Sequence, residues 1–128
     1  MGGNIVIVDD FPLTLQFIEH HLQLAGYCNL CTFENPLDLI DYMQNGNKPK
    51  IIITDFQMPH LNGIELVNRI KDTFGCFPSI ITTADCSSLG MGSTQYPVLQ
   101  KGTPGFITEL LVLIRKMTSS CHSITCLS

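Results

Sequence analysis

Five polar residues each stand where a short apolar run of the sequence ends: Asp9, Asp10, Asp55, Thr83 and Lys101. Carboxylates that lie close together repel one another, so a site built from three of them needs positive charge. Lys101 supplies one unit, and a hard divalent cation such as Mg²⁺, which prefers oxygen ligands, would supply the rest. A site with Mg²⁺, a lysine and a hydroxyl can neutralise a transferring phosphoryl group, and one carboxylate can then act as nucleophile and form an acyl phosphate.

The runs before these residues have the pattern of buried strands. They are four to six residues long and rich in β-branched side chains, which is typical of strands covered on both faces. Five strands are predicted, at residues 4–8, 28–33, 51–54, 79–83 and 97–100.

Segments with helical periodicity separate the predicted strands. Each begins at a polar cap, a proline or both, as helices commonly do. The predicted starts are Pro12, Asn35-Pro36, Asn62-Gly63 and Thr103-Pro104. The last of these helices is predicted to end near Met117, because residues 118–128 show no periodicity.

Strands that alternate with helices along a whole chain predict an α/β fold, a doubly wound parallel sheet with helices on both faces. Ligands of such folds bind beyond the carboxyl ends of the strands, where the five polar residues must converge. A single aspartate at a strand end is usually a turn or a helix cap, but five such residues on one edge favour a site. We expect residues 1–117 to form one domain and residues 118–128 to be a tail or the stub of a linker.

At these residues the sequence resembles the receiver domain of two-component response regulators. The stretches IVIVDDFP, IIITDFQMPHLNGIEL, IITTAD and LQKG occur in the order and with broadly the spacing of that family. The most specific part is the block Asp-x-x-Met-Pro-x-x-x-Gly, from Asp55 to Gly63, and the resemblance extends from Asn4 to about Met117. It implies a flavodoxin-like sheet of five strands in the order 2-1-3-4-5.

The resemblance also implies a role for each site residue. Asp55 would be the phosphoacceptor, Thr83 would hydrogen-bond a phosphoryl oxygen, and Lys101 would pair with another. Asp10 would be a direct Mg²⁺ ligand beside Asp55, with Asp9 assisting. The backbone carbonyl of Gln57 would complete the protein ligands of the metal.

The family further implies the partners. The phosphodonor would be a sensor histidine kinase or a histidine phosphotransfer protein, and the output would act through a homodimer or a downstream effector protein. Such a protein catalyses its own aspartyl phosphorylation and dephosphorylation and is not a metabolic enzyme. Met58-Pro59 and Gly63 would shape the loop that follows the phosphoacceptor.

Three departures from the family pattern lie between Thr83 and Lys101 or directly after them. The connection at residues 84–95 is short and contains two glycines that disfavour helix, so the fourth helix of the family is predicted to be shortened or absent. Val98 stands where the family often has an aromatic switch residue. Either Tyr96, which lies on the same side of a regular strand, substitutes for it, or the register is shifted. Gly102 replaces the usual proline, which predicts a trans peptide after Lys101.

Composition limits the class of protein. Of the 128 residues, 45% are hydrophobic and 14% are charged, which excludes extended disorder, and the net charge of −4 argues against direct binding of nucleic acid. The sequence contains neither a membrane-spanning apolar run nor a recognisable export signal. We therefore expect a cytoplasmic protein whose six cysteines are reduced thiols.

Two alternative functions stay open at this point. The chain could be a phosphorylation-independent pseudo-receiver, which acts by constitutive dimerisation or partner binding, since a shortened fourth helix would expose apolar surface. It could also be an aspartyl-phosphate hydrolase of another α/β family. Those enzymes favour an Asp-x-Asp spacing after the first strand, whereas Asp9 and Asp10 are adjacent.

Overall fold

The computed structural model describes residues 4–85 and 96–124, the last six of these by their backbone alone. Within these ranges the chain forms five strands, which are β1 (Ile5–Val8), β2 (Leu30–Phe33), β3 (Ile51–Asp55), β4 (Ser79–Thr83) and β5 (Val98–Gln100). Four helices accompany them, which are α1 (Pro12–Leu24), α2 (Pro36–Gln44), α3 (Gly63–Phe74) and α4 (Phe106–Ile124).

The five strands form one parallel sheet in the order β2-β1-β3-β4-β5, as predicted. The register pairs Asp55 with Thr82 and Thr83 with Gln100, so the carboxyl ends of β3, β4 and β5 are level. Because β1 pairs with β3 on the other side, the residues that follow β1 emerge at the same edge. The sheet thus positions all five polar residues of the predicted site along one edge.

Two apolar layers hold the sheet between the helices. Successive strand residues point to opposite faces, so Ile5 and Ile7 of β1 pack with α1 and α4, whereas Val6 and Val8 pack with α2 and α3. All residues of β1, β3 and β4 are buried, which explains why their sequences are rich in β-branched residues and do not alternate between apolar and polar. The predicted doubly wound architecture is confirmed.

Local capping chemistry fixes the starts of the second and third helices. The Asn35 side chain accepts a hydrogen bond from the Leu37 N–H at 2.9 Å, and Pro36 is the first residue of α2. Asn62 and Glu65 form a reciprocal capping box, with side chain to backbone distances of 2.8 and 2.9 Å. Both helices begin where the sequence predicted.

The predicted bounds of the last helix are wrong at both ends. The hydroxyl of Thr103 donates backwards to the carbonyl of Gln100 at 3.1 Å instead of capping the helix, and α4 begins only at Phe106. Its other end lies at Ile124, because neither glycine nor proline follows Met117 to stop it. The division into a domain and a tail at residue 118 stays a prediction.

The predicted loss of the fourth helix concerns residues 84–95, of which residues 86–95 lie outside the described residues. Within the described ranges, no helix combines the length and the apolar character that crossing a membrane requires. Three of the six cysteines, Cys28, Cys31 and Cys76, are described, and these three are free thiols.

Candidate functional site

The predicted acidic residues meet at the carboxyl edge of the sheet. Asp9 and Asp10 follow β1, and Asp55 is the last residue of β3. One carboxylate oxygen from each of the three lies within 4.8 Å of the other two. The sequence prediction of a three-carboxylate cluster is therefore correct in its geometry.

Lys101 closes this cluster from the other side of β4. Its Nζ lies 2.9 Å from Asp9 Oδ2 and 2.9 Å from Asp55 Oδ1, so one ammonium bridges two carboxylates. Burial alone would lower the pKa of Lys101, but its hydrogen bonds to Asp55 and Asp9 outweigh burial and raise the pKa. The lysine is therefore a permanent cation of the site.

Burial changes the protonation equilibrium of the Asp55 carboxyl group. It is only 6% exposed, and this burial raises its pKa from 3.8 to about 6. The hydrogen bond from Lys101 lowers that pKa, while the charges of Asp9 and Asp10 raise it further. At neutral pH the group is an anion held in a poorly solvated place, which is a suitable condition for a nucleophile.

Asp9 and Asp10 differ in what holds them. Asp9 is 1% exposed, and its second oxygen, Oδ1, accepts a hydrogen bond from the Phe11 N–H at 3.0 Å. Both oxygens of Asp9 are therefore engaged within the protein. Asp10 is exposed, so its carboxylate faces the solvent side of the cluster, where a metal ion would enter.

Thr83 ends β4 at the same edge and is 1% exposed. Its hydroxyl accepts a hydrogen bond from the Asp85 N–H and donates to the Asp85 carbonyl, both at 3.2 Å. Its own carbonyl accepts the Lys101 N–H at 2.7 Å, which ties the ends of β4 and β5 together. Thr83 thus lies at the predicted place, with its hydroxyl turned toward its own loop.

The loop after Asp55 packs against the strand end through Gly63. The Gly63 N–H donates to the Phe56 carbonyl at 2.8 Å, and a Cβ at this position would lie 2.5 Å from the Asp55 carbonyl oxygen. No side chain fits at that distance, so glycine is required for the first turn of α3 to approach the phosphoacceptor candidate.

His60 is a strained residue in the same loop. Its φ is 75°, and the Leu61 N–H donates to the Pro59 carbonyl at 2.8 Å, which closes a three-residue γ-turn around it. Residues other than glycine rarely adopt positive φ. The turn follows Met58, whose sulfur lies 4.0 Å from the Thr54 hydroxyl, so the loop is anchored on both sides of Met58-Pro59.

The site opens into a cleft of about 760 Å³ that is lined by the acidic residues of the cluster and, over more of its surface, by apolar side chains. Gln57 lines the same cleft as the three aspartates, and its role as a metal ligand stays a prediction. The apolar lining includes Phe11, Leu13 and Phe17, whose side chains are 59%, 69% and 48% exposed. The sequence interpretation missed these three.

The missed residues had a signal in the sequence. Leu13 and Phe17 are four positions apart, so they share one helix face, and that face is not the stripe of Leu15, Ile18 and Leu22 buried against the sheet. Apolar residues outside the buried stripe of a helix often mark an interaction surface.

The residues of the cluster fit a hard divalent cation. Three carboxylates face one lysine ammonium, so the site carries excess negative charge in a place where Asp9 and Asp55 are nearly inaccessible to water. Carboxylate oxygens are the ligands that Mg²⁺ prefers, and the cleft beside Asp10 leaves room for its remaining waters. The donor set therefore matches Mg²⁺ in chemistry and in charge.

Two departures from the family pattern lie in described residues. The described residues contain no cis peptide bond, so Lys101–Gly102 is trans as predicted. Tyr96 is not part of the regular strand, because β5 begins only at Val98, after Pro97, and its substitution for a switch aromatic stays a prediction. The Tyr96 hydroxyl donates to Asn68 Oδ1 on α3 at 3.1 Å.

Comparison with known proteins agrees with this geometry. A family model described as the response regulator receiver domain matches residues 5–108. The chain is 25% identical over 119 residues to the chemotaxis protein CheY1 of Helicobacter pylori strain J99, and the match covers 87% of this chain and 95% of that protein. It is 31% identical over 121 residues to the DNA-binding transcriptional regulator NtrC of Proteus hauseri, a match that covers 89% of this chain but 24% of NtrC.

A solved structure extends the likeness to the fold. The response regulator TrrA of Thermotoga maritima, crystallised in complex with Mg²⁺-BeF, superposes with a TM-score of 0.76 and 25% identity. The match covers 90% of this chain and 98% of TrrA. The acidic cluster, the strand order and the family match agree, and the chain belongs to the receiver domain family of two-component response regulators.

Proposed function

We propose that this chain is a phosphoacceptor switch in which Asp55 accepts a phosphoryl group with the help of Mg²⁺. The observation that carries the proposal is the ion pair between Asp55 and Lys101, at 2.9 Å, inside a cluster of three carboxylates. An isolated buried ion pair would be neutral, whereas this cluster keeps an excess of negative charge that needs a metal.

The phosphodonor is a phosphohistidine on a sensor histidine kinase or a histidine phosphotransfer protein. An oxygen of Asp55 attacks the phosphorus, so an O–P bond forms while the P–N bond to the imidazole breaks. The electron pair of that bond leaves with the ring, which carries a proton on its other nitrogen and departs as neutral imidazole. The product is an acyl phosphate on Asp55, and hydrolysis by water restores the carboxylate.

The residues around Asp55 stabilise the charge of the transferring group. Lys101 lies within reach of a phosphoryl oxygen without leaving the site, because its ammonium already contacts the Asp55 carboxylate. Asp10, Asp55 and the Gln57 carbonyl would hold Mg²⁺, with Asp9 assisting. When bound, Mg²⁺ supplies positive charge that offsets the charge developing on the phosphoryl oxygens.

The switch follows from the position of Thr83. Its hydroxyl now bonds to the backbone of Asp85, two residues along its own loop. Phosphorylation adds about −1.5 to −2 charges at Asp55, which attract the hydroxyl toward the new oxygens. The Asp85 backbone then loses its hydrogen bonds with the Thr83 hydroxyl, so the loop after β4 rearranges and the surface near β5 and α4 changes.

The switched surface passes the signal to another protein. A homodimer or a downstream effector is the recipient we propose, and the cytoplasm is the compartment in which its kinase would work. NtrC, which carries a DNA-binding function by name, matches this chain over only 24% of its length. We therefore assign contact with nucleic acid to the regions of NtrC outside the match and not to a receiver domain as acidic as this one.

The proposal is tested by phosphorylation in solution. Purified protein given Mg²⁺ and acetyl phosphate should gain one acid-labile phosphate per chain, detected as a mass increase that is lost after mild hydrolysis. Asp55→Asn should abolish the incorporation, and Asp41→Asn, which changes an exposed aspartate on α2, should leave it unchanged. Incorporation that survives Asp55→Asn would exclude Asp55 as the phosphoacceptor.

A further inference from the structure

Gly102, the residue after the site lysine, adopts a backbone conformation that few residues can adopt. Its φ is +83°, in the left-handed region, and it lines the same cleft as Lys101 and the carboxylates. A Cβ built at this position meets no atom within 4 Å. The requirement for glycine is therefore a requirement of the backbone and not of space.

Gly102 belongs to a tight turn of four residues from Gln100 to Thr103. The Thr103 hydroxyl donates to the Gln100 carbonyl at 3.1 Å and closes the turn, with Lys101 in its second position and Gly102 in its third. A positive φ near +80° at the third position is the requirement of a type II turn. Glycine meets it readily, asparagine tolerates it, and β-branched residues do not.

The turn determines the orientation of the Lys101 side chain, because the chain is held in place on both sides of the turn. On one side the Lys101 N–H donates to the Thr83 carbonyl at 2.7 Å, and on the other side Phe106 begins α4. From the edge strand β5 the ammonium must pass β4 to reach Asp55 and Asp9. If the backbone dihedral angles of Gly102 changed, those of Lys101 would have to change with them, because the chain is held on both sides of the turn.

We propose that Gly102 is a positioning residue, whose left-handed conformation holds the Lys101 ammonium on Asp9 and Asp55 together. The chain thereby aims its lysine through a trans peptide and a positive φ. Proline, with φ fixed near −65°, is excluded from this arrangement. The inference rests on the proposed function, because the aim of Lys101 is what a phosphoryl group at Asp55 would require.

The first test compares Gly102→Val with Gly102→Asn, two branched side chains of which only asparagine tolerates a positive φ. In metal-free protein, the NMR signal of the Lys101 ammonium, assigned by its loss in Lys101→Met, should be protected from exchange with water in wild type and in Gly102→Asn. Gly102→Val should lose that protection. Equal protection in all three proteins would overturn the inference, and so would an equal loss in both variants.

The second test measures ligand affinity. Beryllofluoride, a phosphoryl mimic, should bind with Mg²⁺ about tenfold more weakly to Gly102→Val, and within about twofold of wild type to Gly102→Asn. The affinity for Mg²⁺ alone should not fall in Gly102→Val, because Lys101 does not ligate the metal and its withdrawal would leave more negative charge on Asp9 and Asp55. A parallel loss of Mg²⁺ affinity in Gly102→Val would overturn the inference, since the damage would then reach the carboxylates.

The two tests separate this inference from the proposed function. Wild-type protein that binds no beryllofluoride with Mg²⁺ would contradict the proposed phosphoryl site, while the Lys101 ammonium signal would still report on Gly102. If Gly102→Val does not unfold as cooperatively as wild type, Gly102→Ala takes its place, because alanine also disfavours a positive φ but has a smaller side chain. The outcomes that support or overturn the inference are then the same.

Discussion

Asp9 and Asp55 share a single ammonium, and this sharing sets the charge of the site. Lys101 neutralises one charge of the pair, while exposed Asp10 adds another negative charge beside it. Burial of Asp55 is the largest cause of its raised pKa, so the folded protein bears a cost whenever this carboxyl group is ionised.

That cost predicts a pH dependence of stability in the absence of metal. The pKa of Asp55 is about 6 in the folded chain and near 3.8 in the unfolded chain, so the folded state binds the proton more tightly. Its stabilising contribution is complete below the unfolded pKa and is lost as the pH rises through 6. The free energy of unfolding should therefore fall between pH 5 and 7.5, by on the order of 1 kcal/mol from this group.

Urea unfolding in the presence of a chelator measures this contribution. Asp55→Asn should reduce the fall between pH 5 and 7.5 by that amount, while Asp41→Asn, at an exposed position, should keep the wild-type fall. A wild-type fall that persists unchanged in Asp55→Asn would assign the pH dependence to other groups.

At the scale of elements, the contact between α3 and the end of β3 is the tightest constraint near the site. Gly63 Cα lies against the Asp55 carbonyl, and an added Cβ would be 2.5 Å from that oxygen. Because the clash is with backbone, it can be relieved only by moving the helix start or the strand end. Either movement would displace the phosphoacceptor candidate or weaken the capping box of Asn62 and Glu65.

Gly63→Ala should therefore lower both stability and phosphorylation. We expect a loss of about 1 to 3 kcal/mol in the free energy of unfolding, as for overpacked sites, measured as a lower urea midpoint. Gly105→Ala is the matched control, because its Cβ would meet only Glu109 Oε2 at an ordinary 3.7 Å and its φ is not positive. Equal urea midpoints for the two variants would show that the loop accommodates the clash.

The elements also show which features periodicity could predict. The strands β1, β3 and β4 are buried on both faces, so their runs of β-branched residues identified them and placed Asp9, Asp55 and Thr83 at one edge. Thr103 looked like a helix cap, but its hydroxyl bonds to Gln100 instead, which sequence alone does not reveal. The same holds for Tyr96, whose partner Asn68 is 28 residues away along the chain.

For the whole molecule, metal binding and folding should be coupled. The three-carboxylate cluster exists only when β1 and β3 are paired, so an unfolded chain cannot assemble it. A ligand that binds only the folded state stabilises it by RT ln(1 + [L]/Kd), which is about 2.7 kcal/mol at one hundred times Kd.

Mg²⁺ should therefore raise the thermal midpoint, by an amount that grows with the logarithm of its concentration. Asp10→Asn should remove most of this rise, because Asp10 is the exposed carboxylate of the cluster, whereas Asp41→Asn should retain it. Thermal midpoints measured at increasing concentrations of Ca²⁺ and of Na⁺ distinguish metal binding from screening of charge. An equal rise with Na⁺ at matched ionic strength would contradict a specific site.

The overall architecture was predictable because alternation of strands and helices restricts the topology strongly. The apolar lining of the cleft was not predicted, since the sequence interpretation assigned no role to Phe11, Leu13 or Phe17 and did not consider the helix face that Leu13 and Phe17 share. The exposure of those side chains also provides a test of the alternative function, partner binding without phosphorylation. Such binding should be lost with Leu13→Ser and retained with Asp55→Asn.

The cation of the site, Lys101, directly follows a strand of three residues at the edge of the sheet. Edge strands open more readily than central ones, and each opening of β5 would withdraw Lys101 and leave the carboxylates to repel one another. Ligand binding at the site and the pairing of β5 with β4 are therefore thermodynamically linked. A ligand that engages Lys101 should therefore slow amide hydrogen exchange in β5, and a substitution that loosens β5 should weaken that ligand by the same factor.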